Sequence, residues 1–210
     1  LKSAVERAEI LIVAVRPRSV KEMLREVAEC GAVPGLCVSL AAGIPLKNLR
    51  AWLGRPARWV RAMPSPVCRM GKGLTGICLD RTVGKQERNQ VRELFARVGQ
   101  VIELSEQKFD AFTVTYSSSH GYHALTTLAR AAQDAGLDRA TALTAAAHAL
   151  ADGIHSWRES GLGLEELLEE AATPGGIAAT TMAAMNRAGY GRAVRSGIRA
   201  GDALARKNAR

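Results

Sequence analysis

Three short segments carry residue types that suit close contact with a flat, charged ligand. Each directly follows an apolar run, and they are Ala14-Val15-Arg16-Pro17, Ala41-Ala42-Gly43-Ile44 and Met63-Pro64-Ser65-Pro66. Small residues and glycine let a ring system approach the backbone, and the Arg16 guanidinium can pair with a phosphate or stack on a ring. Any one segment is an ordinary turn composition, but three in succession favour a nucleotide or dinucleotide site.

The apolar runs before these segments are typical of strands that are buried on both faces. They cover residues 9–15, 36–42 and 59–63, and further strands are predicted over 74–79 and 101–104. Helices are predicted between them, and the first would begin at Ser19, which can form a capping box with Glu22. Strands that alternate with helices predict a parallel sheet, in which ligands bind beyond the carboxyl ends of the strands.

The second half of the chain has a different pattern, because no convincing strand follows Glu106. Helices are predicted over 108–135, 138–158, 164–171, 176–188 and 191–208, with breaks at glycines and at Pro174. The sequence therefore predicts an α/β domain over residues 1–105 and an all-helical domain over residues 106–210.

Composition limits the classes of partner. The 210 residues carry 29 Lys and Arg against 20 Asp and Glu, a net charge of +9, which suits anionic ligands such as phosphorylated cofactors. Aromatic residues make up only 4% of the chain, which disfavours a stacking platform for single-stranded nucleic acid. No apolar run is long enough to span a membrane, so we expect a cytoplasmic protein with no membrane contact.

The helical half holds further candidates, each with an ordinary alternative. The segment from Tyr116 to His123 offers serine hydroxyls to a small polar substrate, or its serines cap a kinked helix. The turn Thr173-Pro174-Gly175-Gly176 joins two helices, and Thr173 can cap the second one, whose free N–H groups favour a carboxylate. His148, Asp152 and His155 share a helix face, but they lack a fourth ligand and we expect no metal.

Taken in order, these segments resemble the pyrroline-5-carboxylate reductase family from about Glu9 to the end of the chain. Besides the segments at 13–17, 39–44, 60–64 and 173–176, the matching pieces are Gly71-Lys72-Gly73-Leu74-Thr75 and Phe109-Asp110-Ala111-Phe112-Thr113. The resemblance implies a Rossmann-type NAD(P)H domain followed by a helical dimerisation domain. It also implies reduction of the C=N bond of 1-pyrroline-5-carboxylate to L-proline, with NADPH or NADH as cofactor and a homodimer or higher homo-oligomer as the assembly.

The resemblance also implies roles for individual residues. The residues expected to line the cofactor are Ala14, Val15, Arg16, Pro17, Ala41, Ala42, Gly43, Met63, Pro64 and Ser65. Those expected to face the cyclic imino acid are Thr113, Ser118, Ser119, Thr173, Gly175 and Gly176. No residue is assigned as the catalytic acid.

Several positions depart from the family pattern. Ser65 and Pro66 stand where the family has Asn and Thr, and Ile177-Ala178 stands where it has a threonine. The glycines and proline of the family's serine segment are also replaced here. These departures keep open a relative that acts on another imine or a non-catalytic regulatory relative, and the Arg-rich tail keeps open a nucleic-acid-binding module.

The family's first βαβ unit, with its Gly-x-Gly-x-x-Gly turn, has no counterpart in this sequence. The matching letters at Gly71, Gly73 and Gly76 precede a predicted strand and not a helix, so they fail the structural requirement of that turn. The sequence begins with Leu1 and not with Met, so Leu1 is interpreted as a cut end, and whether the missing unit is a natural truncation stays open. The fragment alone is expected to bind dinucleotide poorly and to be inactive.

Overall fold

Five strands form one sheet in the first half of the chain. The computed structural model describes residues 1–31 and 33–208. The elements of the first half are α1 (Lys2–Arg7), β1 (Ile10–Val13), α2 (Pro17–Ala28), β2 (Leu36–Ser39), α3 (Leu46–Leu53), β3 (Arg58–Pro64), β4 (Gly73–Leu79), α4 (Lys85–Ala96) and β5 (Gly99–Glu103). A short 3₁₀ turn, Pro66–Met70, joins β3 to β4.

The sheet has the order β1-β2-β3-β4-β5, and it is mostly parallel. β1, β2 and β3 run parallel, as do β4 and β5, but β4 runs antiparallel to β3. The expectation of a wholly parallel sheet is wrong at this one junction. The physical reason is the short 3₁₀ connection, since a parallel crossover needs a dozen or more residues.

Helices cover both faces of this sheet. One hydrophobic cluster contains Cys37, Trp59 and Cys78, and the other contains their chain neighbours Leu36, Val60 and Ile77. Because successive side chains of a strand point to opposite faces, the two clusters are the cores on the two sides of the sheet. Because both faces of the strands are buried, their sequences are nearly continuous apolar runs, as predicted from the sequence.

Helix α2 begins earlier than its predicted cap. Its first residue is Pro17, and Arg16 occupies the N-cap position. The predicted capping box of Ser19 and Glu22 is wrong, because Ser19 lies within the first turn. Proline has no N–H to leave unpaired and its φ angle suits the first helical position, so Pro17 starts the helix directly after the loop.

The second half is entirely helical among the described residues. Its helices are α5 (Glu106–Thr115), α6 (Ser118–Asp134), α7 (Arg139–Ser160), α8 (Leu164–Ala171), α9 (Ile177–Arg187) and α10 (Tyr190–Asn208). The single helix predicted over 108–135 is therefore two helices, which are separated at Tyr116 and Ser117. Among the residues that the structure describes, no helix combines the length and the apolar character that a membrane crossing requires.

The chain packs as two compact units. The first unit contains residues 1–117 and 198–210, and the second contains residues 118–197. The division falls within helix α10, whose last part, from Ile198, belongs to the first unit. The buried side chains of the second unit, among the described residues, are three alanines: Ala129, Ala142 and Ala146.

Candidate functional site

The three segments predicted to line a cofactor leave the sheet at one edge. The parallel register places Val13, Ser39 and Arg61 side by side on β1, β2 and β3. The segments at 14–17, 41–44 and 63–66 follow these positions in the same direction. They lie at the carboxyl ends of neighbouring strands, where open α/β sheets bind their ligands.

The first segment is open to solvent and positively charged. Ala14, Val15 and Arg16 are exposed, and Arg16 is the N-cap residue of α2. An arginine at this end is unfavourable for the helix dipole but adds to its positive field. The N-terminal end of α2 and the Arg16 guanidinium are therefore suited to an anionic group such as a phosphate.

The third segment presents a buried hydroxyl. Ser65 is only 7% exposed, and its Oγ has no hydrogen-bond partner among the described residues. Its backbone is fixed, since the Ser65 N–H donates to the Leu74 carbonyl oxygen at 3.2 Å. A buried hydroxyl without a partner costs about 1–3 kcal/mol, and a polar ligand at this edge would remove that cost.

The second segment is buried against helix α10. Gly43 has a φ of +76°, and a Cβ built on it would overlap the carbonyl oxygen of Ala205 and lie 3.0 Å from the Ala205 Cα. The Asn208 Nδ2 donates to the Ala42 carbonyl oxygen at 3.4 Å. The absence of a side chain at Gly43 is thus explained by a protein contact, and it is not by itself a sign of a ligand.

Helix α5 carries Thr113 along the face of β4. A Cβ built on Gly76 would lie 2.8 Å from the Phe112 Cδ1, so the helix needs glycine at that point of the strand. The Leu74 N–H donates to the Tyr116 hydroxyl at 2.8 Å and fixes the end of the helix. The Thr113 Oγ1 donates to the Phe109 carbonyl oxygen at 2.8 Å, which leaves its lone pairs to accept a bond.

Arg61 fastens α5 to the sheet, a role that sequence reasoning missed. It is 1% exposed, and its guanidinium pairs with Asp110, stacks 4.4 Å from the Phe109 ring centre and lies 3.7 Å from Glu106. Glu106 also accepts the Leu46 N–H at 2.6 Å, at the first residue of α3. A cation buried this deeply requires partners, and loss of one partner typically costs about 3–5 kcal/mol.

The remaining predicted substrate residues lie in the second unit. Ser118 and Ser119 are the first two residues of α6, and Gly175, with a φ of +77°, and Gly176 precede α9. The predicted Thr173 cap is wrong, because the N-cap residue of α9 is Gly176 and has no side-chain cap. Thr173 is instead used in a turn, where its carbonyl oxygen accepts the Gly176 N–H at 2.9 Å.

Two other polar places lie outside the predicted site. A cavity of about 670 Å³ lies beside Arg50, Asp80 and Glu103, but it contains none of the predicted site residues. Its Asp80 and Glu103 carboxylates already pair with arginines. The His148 Nδ1 lies 3.1 Å from an Asp152 carboxylate on an exposed helix face, and the described residues contain no cluster of three metal-binding side chains.

A family model and a set of named relatives identify one family. Residues 106–208 match the family model for pyrroline-5-carboxylate reductase dimerisation. The pyrroline-5-carboxylate reductase of Corynebacterium melassecola is 30% identical over 187 residues, which cover 87% of this chain and 68% of that protein. The chain belongs to the pyrroline-5-carboxylate reductase family.

Other members show the same relationship. The pyrroline-5-carboxylate reductase of Glycine max is 26% identical over 188 residues, which cover 89% of this chain and 68% of that protein. The Plasmodium falciparum pyrroline carboxylate reductase, solved with NADP bound, superposes with a TM-score of 0.91 at 19% identity. The superposition covers 100% of this chain and 80% of the Plasmodium chain. The predicted fold class is therefore confirmed.

The matched family model describes a dimerisation region, and it covers the helical half of this chain. The matched range begins at Glu106, the first residue of α5, and ends at the last residue of α10. In the single chain its helices expose many large apolar side chains. The most exposed of them are Tyr122, Leu143, Ile154, Leu164, Leu168, Ile177, Tyr190, Val194 and Leu204.

Proposed function

We propose that this member of the family is an NAD(P)H-dependent imine reductase that converts 1-pyrroline-5-carboxylate to L-proline. Its relatives in Corynebacterium and Glycine carry the name of that activity. The observation that carries the proposal is the arrangement of three loops at one edge of the sheet, with Arg16 and the unpaired Ser65 hydroxyl among them.

The residues at this edge fit a dinucleotide such as NADPH or NADH. Arg16 and the N-terminal end of α2 suit a phosphate, and the Ser65 Oγ is a buried group that still needs a partner. Met63 and Pro64 are half-buried and give an apolar surface next to that hydroxyl. When bound, the nicotinamide ring supplies the hydride for the reaction.

The protein must orient the imine and bind its carboxylate. The product forms when hydride reaches the C=N carbon and a proton reaches the nitrogen, and a protonated imine is the better hydride acceptor. We assign Thr113, Ser118, Ser119, Thr173, Gly175 and Gly176 to substrate binding. The free N–H groups at the beginning of α9 suit the substrate carboxylate.

We also propose that the helical half forms a homodimer or a higher homo-oligomer. The exposed large apolar side chains of α6–α9 support this, because many such side chains left open to water are typical of a surface that another copy of the chain covers. In this proposal residues 1–105 bind the cofactor, and residues 106–210 provide dimerisation and substrate contacts. A cytoplasmic location and the absence of nucleic-acid partners stay predictions.

The test uses the full-length protein with 1-pyrroline-5-carboxylate and either NADPH or NADH. Consumption of the reduced cofactor together with formation of proline would support the proposal. Cofactor binding without turnover of this imine would contradict it, and it would favour another imine or a regulatory role.

A matched pair of arginine variants tests the cofactor edge. Arg16→Gln should raise the KM for the cofactor by about tenfold, because a lost charge contact to phosphate costs on the order of 1.4 kcal/mol. Arg18→Gln is the control, since Arg18 is also exposed and lies in the same first turn. Equal KM values for the two variants would remove Arg16 from the site.

A further inference from the structure

The last two turns of α10 lie against two parts of the first unit. Gly201 faces α5, where a Cβ built on it would lie 2.6 Å from the Val114 Cγ1. One turn later, the backbone of Ala205 contacts Gly43, and the Asn208 side chain donates to the Ala42 carbonyl oxygen. The end of this helix therefore touches both the helix that carries Thr113 and the segment at 41–43.

The contact at Gly43 is a backbone-to-backbone approach. Ala41 is 3% exposed and Ala205 is 7% exposed, so both sides of the contact exclude water. A side chain at Gly43 would meet backbone atoms of Ala205, which cannot rotate away as the end of a flexible side chain can. Any residue larger than glycine must therefore move the helix, the loop or both.

We propose that the end of α10, from Gly201 to Asn208, is a positioning element that holds the loop at Ala41–Gly43 in its cofactor-binding shape. This inference rests on the proposed function, because it takes that loop to contact NADPH or NADH. Gly43 then acts indirectly: its hydrogen side chain admits the helix, and the helix fixes the loop. A small displacement at such a position is enough to weaken the binding of a ligand.

The chain offers two matched pairs of glycine variants. Gly43→Ala and Gly54→Ala place alanine at similar φ angles, +76° and +62°, but nothing lies within 4 Å of a Cβ at Gly54. Gly201→Ala and Gly197→Ala change the same helix, and a Cβ at Gly197 also meets nothing within 4 Å. Each pair therefore distinguishes the effect of a side chain at the contact from the conformational effect of replacing glycine.

The experiment measures kcat and the KM for each substrate in the full-length protein. Gly43→Ala should raise the KM for NADPH by about tenfold and leave the KM for the imine unchanged, whereas Gly54→Ala should change neither by more than about twofold. Gly201→Ala should show the same selectivity with a smaller change, because the Val114 side chain can rotate. A purely structural loss lowers kcat per mole of protein and leaves both KM values unchanged.

The outcomes separate this inference from the proposed function. If the wild-type protein uses NADPH but Gly43→Ala has the same KM values as Gly54→Ala, the positioning role is overturned and the proposed function stands. If the wild-type protein binds neither NADPH nor NADH, both are overturned. If Gly43→Ala does not fold, Gly201→Ala and Asn208→Ala decide by the same comparison, with Arg199→Ala, at an exposed position of the same helix outside the proposed element, as the control for the latter.

Discussion

The two units of this chain bury their apolar residues to very different extents. The first unit has a core on each face of its sheet, with fully buried residues such as Leu24, Trp59 and Ile77. In the second unit the buried residues, among those described, are the three alanines of α6 and α7, while Trp157 is 45% exposed. The first unit has the burial of an independent domain, whereas the second has the surface of a subunit that needs a partner.

A pair of leucine variants tests this difference most strongly. Leu24→Ala should lower the free energy of unfolding by about 2–5 kcal/mol, because the fully buried side chain leaves a cavity. Leu143→Ala removes a side chain that is 49% exposed in the chain, so it should change the stability of the monomer by less than about 1 kcal/mol.

Urea unfolding of both variants at a concentration that favours the monomer measures the two values. A large loss of stability for Leu143→Ala under that condition would mean that the second unit has a core of its own. The contrast between the units would then be wrong.

A variant on the exposed face of α7 tests whether the second unit forms the proposed dimer interface. Trp157→Ala should weaken self-association by about 2 kcal/mol, or roughly 30-fold in Kd, since large aromatic side chains dominate such interfaces. Sedimentation equilibrium gives the Kd directly. Arg158→Ala, an exposed neighbour on the same helix, is the control and should keep the wild-type Kd.

The smallest expected effect is a difference in pH response. Burial raises the pKa of the Cys37 thiol in the first unit to about 12, from an ordinary value of 9.0. A raised pKa in the folded state contributes stability below pH 9.0 that is lost as the pH rises toward 12. The free energy of unfolding should fall by about 1 kcal/mol between pH 9.0 and about pH 10, and Cys37→Ala should reduce this fall.

The second unit should respond at the opposite end of the pH scale. Hydrogen bonds from the Thr141 side chain and from backbone N–H groups lower the pKa of Asp138, which caps the exposed beginning of α7. The stability that the ionised Asp138 contributes to the folded state is present above the usual pKa of an aspartate. It is lost as the pH falls through the lowered pKa. Helical circular dichroism against pH measures it, and an acid response that is unchanged in Asp138→Ala would contradict this assignment.

Much of the fold could be predicted from local sequence patterns. The apolar runs around Ile10, Leu36 and Val60 each form a strand, and α8 matches its predicted range of 164–171. Such elements are encoded locally, by a period of two or by helical spacing between breaks. The start of α2 and the Thr173 cap were missed because two plausible caps lay close together in sequence, and backbone geometry selected between them.

The residues that the sequence could not predict are those joined over long separations. Arg61 and Asp110 are 49 positions apart, and Ala42 and Asn208 are 166 positions apart, so no local pattern connects them. The contact of Gly43 with helix α10 is likewise visible only in the structure, and the expected contact of Gly43 with a cofactor stays a prediction. The roles of the predicted cofactor and substrate residues stay predictions.

The sequence by itself determined the alternation of strands and helices, the all-helical second half and the family, since each depends on residue order and spacing. Only the tertiary structure decided that β4 reverses direction, that Arg61 holds α5 to the sheet and that α10 returns to the loop at Gly43. These features depend on which surfaces meet after the chain has folded. A buried charge or a close backbone approach is favourable only when its distant partner is in place.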